Sequence, residues 1–319
     1  TFDISAAFGI LLIIIAFSNW LNKPNWLTTI SVGLLAGIAL LTKFSVIIML
    51  PIVFIWVIAA IKYNKFEFSF AKAFAIIILL ILTIYGAYWP LTRHYPIVKH
   101  IADSEIVTNQ WKSEAGRSVV MYLIKQPISR PIGHYLLGLG SASARAIGMN
   151  TSYFMGNVSN LGSHLYFPIL YILKESLLLH LMTIIAVVAF TLSKYRKLKV
   201  ANIIQQQILV ILSTIVLYSL VAINSPLNIG YRHLLPILPL IYILVAIGLD
   251  RWLTIGSLLR KSMIISILMA IMIIESLSYY PNFLVYYNQL AGVRGNGYKI
   301  AADSNYDWGQ DLRALTKYV

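Results

Sequence analysis

The sequence predicts an all-α polytopic membrane protein with about eight spans, and three observations predict it. Of 319 residues, 59% are apolar and only 11% are charged, whereas a soluble domain needs about 25% charged residues to cover its surface. Mean hydropathy is +0.78. The apolar residues gather into windows near 5–21, 26–42, 45–61, 72–89, 167–192, 207–223, 234–249 and 262–278, each close to the roughly 20 residues that cross a bilayer. A soluble enzyme, a disordered chain and a nucleic-acid-binding domain are all disfavoured by this composition. The absence of cysteine removes disulfides, thiolate metal sites and cysteine nucleophiles.

The windows are separated by polar punctuation. Lys23-Pro24-Asn25 parts the first two, Lys62-Tyr63-Asn64-Lys65 closes the third and Ser193-Lys194-Tyr195-Arg196-Lys197 closes the fifth. Asp250-Arg251 and Arg260-Lys261 bracket the connection to the last. If the first span runs from outside to inside, the inner loops are 22–26, 62–72, 193–206 and 250–261, and they hold 11 Lys and Arg. The long segment 90–166 holds 7 in 77 residues. Lys and Arg accumulate in cytoplasmic loops, so the net charge of +14 reads as membrane orientation, and 90–166 belongs outside. That segment is expected to form amphipathic helices at the interface. The division expected is a membrane module over 1–278 and an outer-face tail over 279–319. The chain opens on Thr1 without a basic n-region, so it reads as a fragment without a signal peptide.

Ionisable residues in or beside apolar windows are costly and mark function or pairing. Asp3 opens the first span, either as an acid at a helix N-terminus or as a working carboxylate. Lys43, between two apolar runs on the outer side, is either a snorkelling lysine or an ammonium that binds an anion such as a lipid phosphate. Lys174 and Glu175 lie inside the fifth window; neighbours in sequence do not share a helix face, so each needs its own partner. Glu275 is expected to pair with a lysine. The run Asn228-Ile229-Gly230-Tyr231-Arg232-His233 enters Leu234-Leu235-Pro236-Ile237-Leu238-Pro239; Arg232 can grip a phosphate with its planar fork, His233 can donate or accept, and Tyr231 can line a pocket. The tail Asp303-Ser304-Asn305-Tyr306-Asp307-Trp308-Gly309-Gln310-Asp311-Leu312 reads as a loop turning into a helix near Gln310. It is either a structural cap or a carbohydrate-facing or metal-bridging loop.

Together these strings resemble the GT-C fold glycosyltransferases that use lipid-linked sugars, the protein O-mannosyltransferase-like and aminoarabinose-transferase-like group. Thr1-Phe2-Asp3 resembles the end of that family's TxD element, and Gly37-Ile38-Ala39-Leu40-Leu41-Thr42-Lys43 its G-x-A-x-L-T-K turn. Tyr153-Phe154-Met155-Gly156 through His164-Leu165-Tyr166-Phe167-Pro168 to Lys174-Glu175 is similar to its outer loop entering the next helix. Arg232 to Pro236 and Asp303 to Leu312 resemble its R-x-x-x-P and D-S-N-x-D-W-G-Q-D-L strings.

The resemblance implies a GT-C-like bundle in a prokaryotic inner membrane. It would transfer a sugar from a polyprenyl-phosphate donor to an acceptor hydroxyl on a lipid, glycan or protein at the outer face. It implies Lys43, Arg232, His233 and Tyr231 at the lipid phosphate, where fixed cations stabilise the leaving group. His164, Lys174, Glu175, Asp303, Asp307, Gln310 and Asp311 fall on the acceptor side. It also implies Asp3 as a catalytic or metal-holding acid, with Mg or Mn as the divalent ion. The main catalytic acid of the family lies upstream of the position matching residue 1, so residues 1–319 alone are expected to be inactive. The rival reading is a transporter or flippase for an anionic lipid or sugar, which would share the spans and the basic outer residues. A catalytically silent membrane scaffold is a third.

Overall fold

The computed structural model describes residues 2–64, 68–148, 150–195, 202–253, 257–293, 295–310 and 312–318. Thr1, Lys65, Arg196, Lys197, Lys199 and Asp311 lie outside the described residues. Thirteen α-helices and one β-hairpin make up the described chain, which divides into two compact units: residues 1–148 with 212–217, and 149–211 with 218–319.

All eight apolar windows are helical. α1 (Phe2–Asn22), α3 (Met49–Asn64, preceded by a 3-10 turn from Phe44) and α4 (Phe70–Arg93) supply three helices long and apolar enough to cross a membrane. A fourth candidate is a bent pair: α8 (Tyr166–Lys174) and α9 (Leu177–Tyr195) meet at 101°. The fifth window is therefore two helices and not the one straight span its continuous hydropathy implied. Among the described residues three helices, or four with the bent pair, are long and apolar enough to cross a membrane, so eight spans are not shown. α2 (Trp26–Thr42) has 17 residues and α11 (Leu238–Leu253) has 16, at and just below the lower end of the range that crosses a bilayer. α10 (Asn202–Ile223) has 22 residues and is apolar over Gln207–Ile223. α12 (Leu258–Leu277) is long enough but carries Arg260, Lys261 and Glu275.

In the first unit α2 packs against both α1 and α4. Asn25 caps α2: its side chain accepts from the Thr28 N–H at 2.9 Å while the Thr28 hydroxyl accepts from the Asn25 N–H, satisfying two otherwise orphaned donors. The buried Trp20 indole donates to Thr29 Oγ1 at 3.0 Å. The α2–α4 seam depends on Gly33 and Gly37. A Cβ at Gly33 would stand 2.6 Å from Leu79 Cβ, and one at Gly37 would stand 2.5 Å from Thr83 Cβ. This is the small-xxx-small spacing that lets helix backbones approach where no hydrophobic effect drives them together. A methyl group at either position forces the helices apart, at a cost of about 1–3 kcal/mol.

Segment 90–148 forms α5 (Ile97–Thr108), α6 (Glu114–Lys125) and α7 (Arg130–Ile147). These are short amphipathic helices, as the sequence leads one to expect, with Val120, Ile124 and Leu137 as their buried core. His100 on α5 and His134 on α7 share a hydrogen bond of 2.9 Å between Nε2 and Nδ1. The Tyr95 ring stacks on His100 at 4.6 Å, and Tyr95 donates to Asp103.

Burial, followed by the positive charge of His134 and Arg130, lowers the His100 pKa to about 4; burial also lowers that of His134. Two imidazoles in one hydrogen bond need at least one acceptor nitrogen, so both rings cannot be protonated at once, and burial favours the neutral pair in the folded form. An unfolded His takes up a proton near pH 6.5. Folded stability is therefore fully present above about 6.5 and is lost as pH falls toward about 4, by up to about 3 kcal/mol from His100. Thermal unfolding of the detergent-solubilised protein at pH 7.5 and pH 4.5 is expected to show this loss, and His100→Gln is expected to remove most of its pH dependence.

Candidate functional site

The second unit contains three of the strings singled out in the sequence: Lys174-Glu175, which falls at the α8–α9 junction, the run 228–239 and the tail string 303–312. It also contains a β-hairpin the sequence did not announce as one. Strands β1 (Ser152–Phe154) and β2 (Asn157–Ser159) pair antiparallel around Met155-Gly156. Both turn residues have positive φ, 49° and 85°, the geometry a two-residue hairpin needs to match strand twist. The hairpin is tied to the tail. The Met155 N–H donates to Ile300 O at 2.8 Å, and the Tyr153 hydroxyl donates to Lys299 O at 3.0 Å.

Asn305 joins the three strings. It is 1% exposed. Its amide donates to the Tyr166 hydroxyl of α8 at 2.7 Å and to Ala302 O at 2.9 Å, and its Oδ1 accepts from the Tyr231 N–H at 2.7 Å. Ser304 donates to Ile229 O at 2.5 Å. Gly230 allows this approach: a Cβ there would stand 2.0 Å from Ser304 Oγ.

The break between α8 and α9 releases carbonyls that a continuous helix would satisfy. Asn288 takes them up: its side chain donates to Ile172 O at 2.6 Å and Glu175 O at 2.7 Å, and its N–H donates to Leu173 O at 2.8 Å. His180 contacts Ile172 O at 3.0 Å as well. Lys174 and Glu175 have separate partners, as their adjacency requires. Lys174 donates to Leu284 O at 2.8 Å and Asn305 O at 2.6 Å, and it lies 4.1 Å from the Tyr287 ring centroid. Glu175 accepts from the hydroxyls of Tyr231 at 2.6 Å and Tyr242 at 3.2 Å. Burial, then the Glu175 carboxylate, pushes the Tyr231 phenol well above its ordinary pKa.

Arg232 sits on the 3-10 turn Tyr231–Leu234. Its guanidinium stacks over Trp308 at 4.4 Å from the ring centroid, and its Nε is buried without a hydrogen-bond partner. Among the described residues it makes no ion pair. A guanidinium in this state presents planar N–H donors suited to a phosphate or carboxylate. The His233 carbonyl accepts from Tyr218 at 3.0 Å, and its ring stands edge-on to Phe167.

The remaining expected residues have local contacts. His164 is exposed and contacts Ile223 O at 3.0 Å through Nδ1. Asp303, at φ 56°, accepts from the Ser304 N–H at 2.6 Å. Asp307 accepts from the Gly309 N–H at 2.7 Å, as a turn cap does. Gln310 accepts from the Trp308 N–H at 2.6 Å. The helix after this turn, α13, runs from Leu312 to Tyr318. Glu275 has no lysine partner among the described residues: it accepts from Ser176, Tyr286 and Gln289.

Asp3 and Lys43 belong to the first unit and form an ion pair there, with Asp3 4% exposed. Their two charges compensate each other. Among the described residues no three His, Asp or Glu side chains gather to hold a metal, and a cation bound at Asp3 would compete with the Lys43 ammonium. Asp3 so placed does not fit a divalent ion, and no chemical step is assigned to one.

The residues that organise the second unit include several the sequence reading passed over: Asn288, Tyr287 and, inside the quoted tail string, Asn305 and Trp308. Comparison of the chain with protein-family models, with curated proteins and with solved structures matches none of them.

Proposed function

We propose that the chain is a membrane glycosyltransferase of GT-C type that moves a sugar from a polyprenyl-phosphate donor to an acceptor hydroxyl at the outer face of a prokaryotic inner membrane. The observation that carries this reading is the Arg232 guanidinium, stacked on Trp308 with a buried Nε that has no partner. The reaction breaks the bond between the anomeric carbon and the phosphate oxygen. A bond forms from that carbon to the acceptor oxygen, which gives up its proton, and polyprenyl phosphate leaves as an anion. Charge therefore grows on the phosphate oxygens, where a fixed guanidinium lowers the barrier. His233, adjacent on the same turn, is the proposed second donor. Tyr231 acts one step away, holding the turn through its bonds to Asn305 and Glu175.

Arg232→Ala is expected to weaken binding of the polyprenyl-phosphate sugar at least tenfold, equivalent to about 1.4 kcal/mol, with little change in melting temperature. Arg232→Lys keeps the charge but loses the fork, and is expected to fall between the two. Donor binding measured on the detergent-solubilised protein decides it: wild-type affinity in Arg232→Ala would remove the phosphate assignment.

A further inference from the structure

In the first unit, α5 carries its polarity inside out. At about 100° per residue, His100, Ser104 and Thr108 fall on one stripe of the helix, and all three are at most 1% exposed. Val98, Ala102 and Ile106 fall on the far side, and that stripe is open, with Val98 79% and Ile106 66% exposed. Lys99 borders the apolar stripe on one side and Glu105 on the other, both exposed. The inward stripe is tied to its surroundings: His100 shares its hydrogen bond with His134 of α7, and the Thr108 hydroxyl donates to Ser104 O at 2.8 Å. A helix with water on its outer side turns its apolar stripe to the core and its polar residues out. The reverse arrangement belongs to a helix in lipid, where polar side chains face the protein interior.

The chain before α5 sets its depth. The candidate span α4 ends on Trp89 and Arg93, whose guanidinium lies 4.8 Å from the indole centroid, the aromatic and basic pairing that marks a membrane border. α5 starts at Ile97, so at about 3.5 Å per residue its first turn stays within about 14 Å of that border. Its 12 residues extend about 18 Å, too little to cross a layer of about 30 Å. We propose that α5 lies flat in one leaflet of the bilayer, with Val98, Ala102 and Ile106 against the acyl chains and Lys99 reaching the headgroups. The proposal rests on α4 crossing the membrane and is independent of the sugar-transfer reading.

The chain has no cysteine, so a single introduced cysteine carries a single spin label. Val98→Cys, Ala102→Cys and Ile106→Cys are labelled in the full chain, reconstituted in vesicles of phosphatidylethanolamine and phosphatidylglycerol. Leu82→Cys, on the exposed side of α4, is the lipid reference, and Lys23→Cys, in the turn between α1 and α2, is the water reference. Relaxation by oxygen, which concentrates in lipid, is compared with relaxation by a water-soluble nickel chelate. The oxygen-to-nickel ratio at all three α5 sites is expected to exceed that at Lys23→Cys at least fivefold. Ala102→Cys, the smallest change, decides the matter should either of the others fail to fold. A ratio equal to that of Lys23→Cys, with Leu82→Cys still high, means the stripe faces water and overturns the proposal. Protection from both reagents means that protein covers the stripe, from this chain or a second copy, and also overturns it. A water-like ratio at Leu82→Cys overturns it too, by removing the span on which it rests.

Discussion

Removing either member of the Asp3–Lys43 pair is expected to destabilise the first unit by about 3 kcal/mol, because each single variant strands a charge in a poorly solvated place. Asp3 is 4% exposed, so Lys43→Ala leaves a carboxylate that water does not reach. Asp3→Ala strands an ammonium whose side chain is 24% exposed and can partly solvate itself; this variant should be the milder of the two. The double variant Asp3→Ala/Lys43→Ala should lose markedly less than the two singles together, by 1.5 kcal/mol or more in a double-mutant cycle. Thermal unfolding in detergent measures all four corners. Additive losses would mean that the two groups act separately, and Lys43 would return to the role of an independent cation for lipid phosphate.

Asn305→Ala is expected to cost a comparable amount, about 3 kcal/mol, by a different route. The side chain serves a buried tyrosine hydroxyl, a backbone carbonyl and a backbone N–H in three separate strings. Alanine leaves the Tyr166 hydroxyl and the Tyr231 N–H without that partner, while Ala302 O keeps only the longer bond from the residue-305 N–H at 3.4 Å, and every buried polar group left unsatisfied costs about 1–3 kcal/mol. Tyr166→Phe removes only one of these bonds and should cost about 1 kcal/mol. Limited proteolysis provides a second reading: cleavage within 283–310 should accelerate in Asn305→Ala well before α8 or α9 is cut. Equal protection of the tail in wild type and variant would show that Asn305 does not join the strings.

How much of this the sequence disclosed depends on distance along the chain. The eight windows are helical because their apolar runs are long and bounded by Lys, Pro and Asn signals, all of which are local. The amphipathic helices of 97–147 are legible for the same reason, and the separate partners of Lys174 and Glu175 follow from adjacency alone. The 101° bend is illegible, because hydropathy runs on through Glu175-Ser176 and the bend is stabilised by Asn288, more than a hundred residues later. The Asp3–Lys43 pair joins residues 40 apart, and neither end signals the other. Gly33 and Gly37 carry the four-residue spacing openly, yet only Leu79 and Thr83 on α4 reveal that it is a contact. At the candidate site, Arg232 was readable from its residue type and setting, whereas Asn305 looked like one more polar letter in a turn.

The right-angled corner at Glu175-Ser176 changes the cost of the two most awkward charges in that stretch. Nine residues of α8 extend only about 14 Å and the nineteen of α9 about 28 Å, at 1.5 Å per residue. The second limb alone is thus nearly as long as the lipid interior is deep. If it does the crossing, Lys174 and Glu175 come to rest on the rim, beside headgroups and water. A straight rod through the same letters would have sunk both several ångströms into oil.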